Sequence, residues 1–124
     1  MGATGDRRLL VACLCAEWCG SCRDYRATFA ALQAQFAADA EFAWIDVEDD
    51  ADALGDPDID DFPTLLIADA TALRFFGPVT PQAQTAERLV REALAGALTQ
   101  AGDEALAERV RALVRSRSGG DSGA

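Results

Sequence analysis

The chain has 124 residues, half of them apolar, and a formal net charge of −10 at pH 7. No apolar run approaches the ~20 residues of a membrane-spanning helix, and the negative charge would repel nucleic-acid phosphates, so we expect neither membrane nor nucleic acid as a partner. All 11 basic residues are arginine and histidine is absent, which excludes His-based acid–base catalysis, lysine Schiff bases and most zinc enzymes.

The first half of the chain predicts alternating strands and helices. Residues 1–7 are expected to form a loose leader, and the apolar run over 8–15 is typical of a buried strand. Apolar residues recur at helical spacing over 20–38, which predicts an amphipathic helix. A second strand is predicted over 41–47, with a short helical segment near 50–55.

The second half predicts two more strands and two helices. The runs over 63–69 and 72–77 are close enough in sequence to pair as a hairpin. Cap residues and apolar spacing predict a helix over 81–100, and a last helix over 103–116 has one apolar face. Residues 117–124 have a composition typical of disorder.

These elements predict a single domain over residues 8–116. The fold class is α/β, with a small mixed four-stranded sheet sandwiched by helices and an extra C-terminal helix. The sequence has no internal repeat and no signal of a second domain.

All four cysteines lie in the segment CLCAEWCGSC, residues 13–22. Cys19 and Cys22 fall where the first strand gives way to the helix, where unpaired N–H groups and the helix dipole stabilise a thiolate at Cys19. One helical turn apart, the two sulfurs lie on one side and can close a disulfide. Gly20 permits the tight helix entry and leaves Cys19 approachable. This pair predicts thiol–disulfide exchange.

Cys13 and Cys15 invite a different interpretation. Two residues apart on a strand, they share a face with ~6.6 Å between them and parallel side chains, so a bond between them would be strained. We expect both to pack as small apolar side chains, with a redox role for Cys13 as the alternative. A four-cysteine zinc cage would need two ligand pairs from separated segments, so no metal is expected.

The segments AEWCGSC and DFPTLLI, together with Gly77, resemble the thioredoxin family over residues 8–100. They supply a tryptophan–CxxC segment at a strand–helix junction, a Pro-Thr pair opening a later strand, and a glycine closing the hairpin. The resemblance implies a thioredoxin-like fold and a protein-disulfide oxidoreductase in which Cys19 attacks and Cys22 resolves. It also implies that no cofactor is bound, that substrates are protein or peptide disulfides, and that a partner reductase donates electrons.

The resemblance further implies a substrate-binding surface around the cysteine pair. In the family a cis-proline faces the CxxC segment, which here is Pro63 after Phe62, and the backbone of Phe62 would pair with a substrate peptide as an added strand. The implied substrate-binding residues are Trp18, Gly20, Ser21, Phe62, Pro63 and Thr64.

Three positions depart from the family's pattern. Ser21 stands where members usually have proline, which favours a more oxidising couple. Cys13 occupies the place of a buried aspartate that helps to deprotonate the inner thiol, and Phe42 replaces its lysine partner. The family's first strand and helix are absent from the sequence, so we expect the last helix, 103–116, to pack back on the core, with a dimer that pairs exposed sheet edges as the alternative.

The remaining predictions concern the location of the protein in the cell and two alternative functions. The run after Arg7 and Arg8 superficially resembles a signal peptide, but cleavage near Ala16 would remove the strand leading into the cysteines, so a cytoplasmic protein is expected. The missing acid at position 13 favours, as one alternative, a thioredoxin-fold binding or regulatory module with little turnover. A metal-binding protein using the cysteine cluster is the other.

Overall fold

The computed structural model describes residues 9–16, 20–55, 59, 62–69, 71–80, 82–99, 102 and 104–123, without the side chains of 21 and 117–123. The strands are β1 (Leu9–Cys15), β2 (Ala40–Asp46), β3 (Thr64–Ala68) and β4 (Leu73–Pro78). The helices are α1 (Gly20–Phe36), α2 (Ala51–Leu54), α3 (Ala83–Leu94) and α4 (Glu104–Gly123). The described elements follow the predicted order, and most of their bounds lie within two residues of the prediction.

Within the described residues the strands form one mixed sheet in the order β2-β1-β3-β4. The central strand β1 pairs in parallel with β2 and antiparallel with β3, placing Trp44 and Leu65 on either side of Cys13. Strands β3 and β4 form the predicted antiparallel hairpin.

Strand β1 divides the core into two layers. Val11, Cys13 and Cys15 belong to the cluster formed with α1 and α3, whereas the alternate residues Leu10 and Leu14 belong to the cluster formed with α2 and α4. All seven residues of β1 are buried. A strand that is covered on both faces has a continuous run of apolar residues. This explains why apolar and polar residues do not alternate along β1.

Helix α4 covers the second face of the sheet. Leu106, Val110 and Val114 of this helix are buried in the same cluster as Leu10 and Leu14 of β1. Two polar contacts fix the helix to the hairpin: the Glu104 carboxylate accepts a hydrogen bond from the N–H of Leu73 at 2.6 Å, and Arg111 donates to the carbonyl of Asp69 at 3.0 Å. The prediction that the last helix packs back on the core is confirmed.

Two helices end elsewhere than the sequence predicts. Helix α3 ends at Leu94 rather than near residue 100, because Gly96 adopts a φ of 76° and the N–H of Ala97 turns back to the carbonyl of Glu92 at 2.9 Å. Helix α4 continues to Gly123, through residues predicted to be disordered. Adding residues to a formed helix costs far less than starting one, so weak helix formers can follow the packed turns.

The turn of the hairpin is organised by Asp69. One carboxylate oxygen accepts hydrogen bonds from the backbone N–H groups of Thr71 and Ala72, both at 2.9 Å, and the other accepts one from the Arg74 guanidinium at 2.7 Å. Burial acts to raise the pKa of Asp69. The hydrogen bonds lower it more strongly, with the largest effect from Arg74, and the resulting pKa is about 2. The ionised carboxylate therefore stabilises the folded state.

We expect Asp69→Asn to lower the free energy of unfolding at pH 7 by about 1–2 kcal/mol, a value discounted for the partial exposure of both partners. The depressed pKa contributes stability above the unfolded-state pKa, and this contribution is lost as the pH falls toward 2. The difference between variant and wild type should therefore shrink between pH 5 and pH 2 in urea unfolding. Glu41→Gln, which removes an exposed carboxylate, is the control; a constant difference across that range would contradict the assignment.

Candidate active site

The site is built where β1 ends and α1 begins. Strand β1 delivers Cys15 at its last residue, and α1 carries Cys22 in its first turn, after the exposed Gly20. Cys22 is only 1% exposed and belongs to the core cluster under α1. The predicted nucleophile Cys19 and the predicted contact residue Trp18 lie outside the described residues, as does the side chain of Ser21.

The structure brings three cysteines together beneath the start of α1. Cys15 and Cys22 form a disulfide, with their Cα atoms 5.8 Å apart. Cys13 lies behind them with its Sγ 3.7 Å from Sγ of Cys15, and it forms no disulfide within the described part of the chain. Cys15 packs in the core with 1% exposure, as predicted, but its pairing with Cys22 was not anticipated from the sequence. Cys13 and Cys15 both lie on the face of β1 that α1 covers, and helix packing brings Cys22 to the nearer one.

Cys13 remains a buried thiol, as predicted. Burial raises the pKa of Cys13 to about 12, and the positive charge of Arg26 opposes that rise. The Arg26 guanidinium lies over the ring of Trp44, 4.7 Å from its centroid, and Trp44 is the cross-strand neighbour of Cys13. Arg26 was not among the predicted site residues, although its position one turn after Cys22 on the same helix indicated that it would lie close to the cysteines.

Tyr25 is the polar member of the same cluster. Its side chain is 1% exposed, and its hydroxyl has no hydrogen-bond partner among the described residues. Burial raises the pKa of Tyr25 to about 12, and the neighbouring Cys13 acts in the same direction. A buried hydroxyl without a partner keeps its desolvation penalty uncompensated.

We expect Tyr25→Phe to raise the free energy of unfolding by about 1 kcal/mol, because it removes this unpaired hydroxyl and keeps the ring. The reverse exchange at a buried neighbour, Phe29→Tyr, should lower stability. Urea unfolding of both variants under reducing conditions measures the two effects. A loss of stability in Tyr25→Phe would contradict this assignment and show that the hydroxyl has a hydrogen-bond partner.

The predicted substrate-binding segment lies beside the cysteines. Thr64, the first residue of β3, pairs with Leu14, the neighbour of Cys15, and the preceding Phe62–Pro63 peptide bond is cis. Pro63 and Thr64 are buried, whereas Phe62 is partly exposed and packs on the cluster that contains the cysteines. The carbonyl of Pro63 accepts a hydrogen bond from the N–H of Val79 at 3.0 Å.

A cavity of about 540 Å³ opens on the other side of Cys22. Its charged lining residues are Arg23 and Arg26 from α1, and Asp46 and Asp49 from the end of β2 and the turn after it. One carboxylate oxygen of Asp46 accepts hydrogen bonds from the N–H groups of the two residues at 48 and 49, at 2.8 and 3.1 Å. The cavity therefore places four charged side chains near Cys22, and none of them was among the predicted site residues. Within the described ranges, no three acidic or cysteine side chains are placed to hold a metal ion.

The sequence profile of the family described as Thioredoxin matches residues 3–90 of this chain. The chain belongs to the thioredoxin family. Its fold is that of solved thioredoxins. The germline-specific thioredoxin Deadhead from Drosophila melanogaster matches with a TM-score of 0.62 at 19% identity, over 73% of this chain and 85% of that chain.

Two further thioredoxin structures agree. The thioredoxin of Trypanosoma brucei brucei has a TM-score of 0.62 at 18% identity, over 76% of this chain and 81% of that chain. Mitochondrial thioredoxin 3 of Saccharomyces cerevisiae, in its oxidised form, has a TM-score of 0.61 at 19% identity, over 73% and 84%. At these identities the likeness shows the fold alone. No curated protein sequence gives a significant match.

Phe42 packs edge-on against Phe29, with their ring centroids 5.5 Å apart. The positive charge that acts on Cys13 comes from Arg26 on α1. The described helices include none long and apolar enough to cross a lipid bilayer.

Proposed function

We propose that this thioredoxin-family protein is a thiol–disulfide oxidoreductase that reduces disulfides in proteins or peptides. The observation that carries the proposal is the placement of Cys22, buried in the first turn of α1 and within disulfide distance of a second cysteine. A cysteine pair at a helix N-terminus is suited to exchange, because the helix end stabilises the attacking thiolate.

The proposed reaction has two steps. The Cys19 thiolate attacks one sulfur of the substrate disulfide, forming a mixed disulfide and releasing the other sulfur as a thiolate. Cys22 then loses its proton and attacks Sγ of Cys19, which forms the Cys19–Cys22 disulfide and releases the second substrate thiol. Two electrons pass to the substrate, and a partner reductase returns them to the pair.

We assign substrate contact to the surface implied by the family resemblance. It comprises Trp18, Gly20, Ser21, Phe62, Pro63 and Thr64. Support comes from the segment of Phe62 and Pro63, which leads into the Leu14–Thr64 pair near the end of β1 and leaves Phe62 partly exposed. An extended substrate there would place its disulfide near the start of α1. We further propose that residues 8–116 form the working domain, and that it acts in the cytoplasm.

The test is reduction of insulin disulfides by dithiothreitol, with and without the protein. The wild type should accelerate the reaction, whereas Cys19→Ser should leave the rate at that of dithiothreitol alone. Cys22→Ser keeps the nucleophile but loses the resolving thiol, so it should accumulate mixed disulfides with its substrates. A wild type no faster than Cys19→Ser would refute the enzymatic proposal.

A binding or regulatory module is the second candidate, and the burial of Cys13 favours it. A thiol whose pKa is raised to about 12 cannot serve as a base at neutral pH, so resolution by Cys22 lacks the family's carboxylate. The two candidates differ in one result. A module would capture disulfide-containing partners on Cys19 in Cys22→Ser, while its wild type would not accelerate insulin reduction.

A further inference from the structure

We propose that Cys15 is a second disulfide partner of Cys22, so that the protein has two oxidised forms. One contains the Cys19–Cys22 disulfide of the proposed function, on which this inference rests, and the other contains Cys15–Cys22. The structure holds the second form: Cys15 and Cys22 are bonded, and their Cα separation of 5.8 Å lies inside the range of ordinary disulfides.

The fold brings Cys15 to this place for a simple geometric reason. It ends β1 on the face that α1 covers, and Cys22 enters the same core cluster from the first turn of that helix. Both side chains are 1% exposed, so the bond is shielded from external thiols. Cys19, in contrast, is the cysteine that the sequence assigns to contact with substrates.

Cys15, rather than Cys13, is the partner of Cys22 on geometric grounds. Cys13 precedes Cys15 by two residues on the same face of β1, and its sulfur lies 3.7 Å from that of Cys15. Cys22 is bonded to Cys15, whereas Cys13 forms no disulfide within the described part of the chain. The exchange therefore ends at Cys15.

The transfer is an internal thiol–disulfide exchange. The Cys15 thiolate attacks Sγ of Cys22 in the Cys19–Cys22 disulfide, the Cys15–Cys22 bond forms, and the Cys19–Cys22 bond breaks. Cys19 leaves as a thiolate, and the proton lost by the Cys15 thiol is taken up by Cys19 through solvent. One disulfide is present before and after, so the step needs no oxidant or reductant.

The consequence is an oxidised protein with a free Cys19. In this form Cys19 can still attack a disulfide, but Cys22 is unavailable to resolve the product. The resulting mixed disulfide would persist until the Cys15–Cys22 bond is reversed. The buried pair would thus change the protein from one that turns substrates over to one that holds them.

Disulfide mapping of the full-length protein tests the inference. The protein is equilibrated in oxidised and reduced dithiothreitol over a range of ratios, quenched in acid and blocked with N-ethylmaleimide. Cleavage after Arg8, Glu17 and Arg23 gives the peptides 9–17, with Cys13 and Cys15, and 18–23, with Cys19 and Cys22. We expect two oxidised products: a closed 18–23 peptide, and a linked pair of peptides labelled on Cys13 and Cys19.

Two variants sharpen the assignment. Cys15→Ala should lose the linked pair entirely, together with the labelling of Cys19 in oxidised protein. Cys19→Ser should contain the linked pair as its sole disulfide. Disulfide mapping of the wild-type protein still tests the inference if either variant folds poorly.

The outcomes separate this inference from the proposed function. A closed 18–23 peptide at every ratio, with 9–17 doubly labelled, would overturn the inference and leave the proposed function intact. A link through Cys13 would also overturn it. A linked pair with no closed 18–23 peptide would overturn the Cys19–Cys22 exchange and the transfer step with it, and the absence of both disulfides would overturn both proposals.

Discussion

Val110→Asp is expected to lower the free energy of unfolding by about 3–5 kcal/mol, because it leaves an unpaired carboxylate in an apolar core. Val110 is fully buried in α4, within the cluster that also contains Leu10 and Leu14 of β1. The second face of the sheet depends on this helix for much of its cover. Losing the contact therefore weakens the whole domain rather than one end of it.

The measurement is urea unfolding of the full-length variants at pH 7. Ala112→Asp introduces the same residue at an exposed position of the same helix, and it should change stability by less than about 0.5 kcal/mol. Truncation after Gly102 removes the helix altogether and should lower stability or cause association through the uncovered face. A truncated protein as stable and monomeric as the full chain would show that α4 is dispensable.

Cys13→Asp is expected to shorten the life of the mixed disulfide by at least about tenfold, since general-base catalysis typically contributes about 10²–10⁴-fold. Cys22 is buried and must lose its proton before it can attack, and Cys13 is a thiol with a pKa raised to about 12. An aspartate there would supply the missing base, and Arg26 would help to keep it ionised. The initial attack by Cys19 should not change.

Cys13→Asn is the matched control for that effect, since it has nearly the same size but no basic carboxylate. Single-turnover reaction with a disulfide peptide, quenched in acid, follows the mixed disulfide directly. In the wild type its decay should accelerate as the pH rises through neutrality, and in Cys13→Asp the dependence should flatten. Stability should fall because a carboxylate is buried. Equal decay in the Asp and Asn variants would show that another group deprotonates Cys22.

Much of the fold could be predicted because its signals are local. The continuous apolar run of β1 and the helical spacing of α1 depend on which residues face the core, and that pattern is written in the sequence. Helix α3 ends before the predicted residue 100 because Gly96 adopts the left-handed conformation that stops the helix. Gly96 and Gly102 look alike in sequence, and only the backbone path distinguishes them.

The sequence by itself determined that all four cysteines lie within ten residues, near a predicted strand–helix junction, and that this chain has no histidine or lysine to assist them. Tertiary structure decided which sulfurs meet. Cys15 and Cys22 are seven residues apart in sequence, and they bond because the packing of α1 on β1 brings their Cα atoms within 5.8 Å. The same packing turns Arg26 over Trp44 and sets its charge near Cys13. Distances between elements depend on how helices and sheet pack, and no local pattern encodes them.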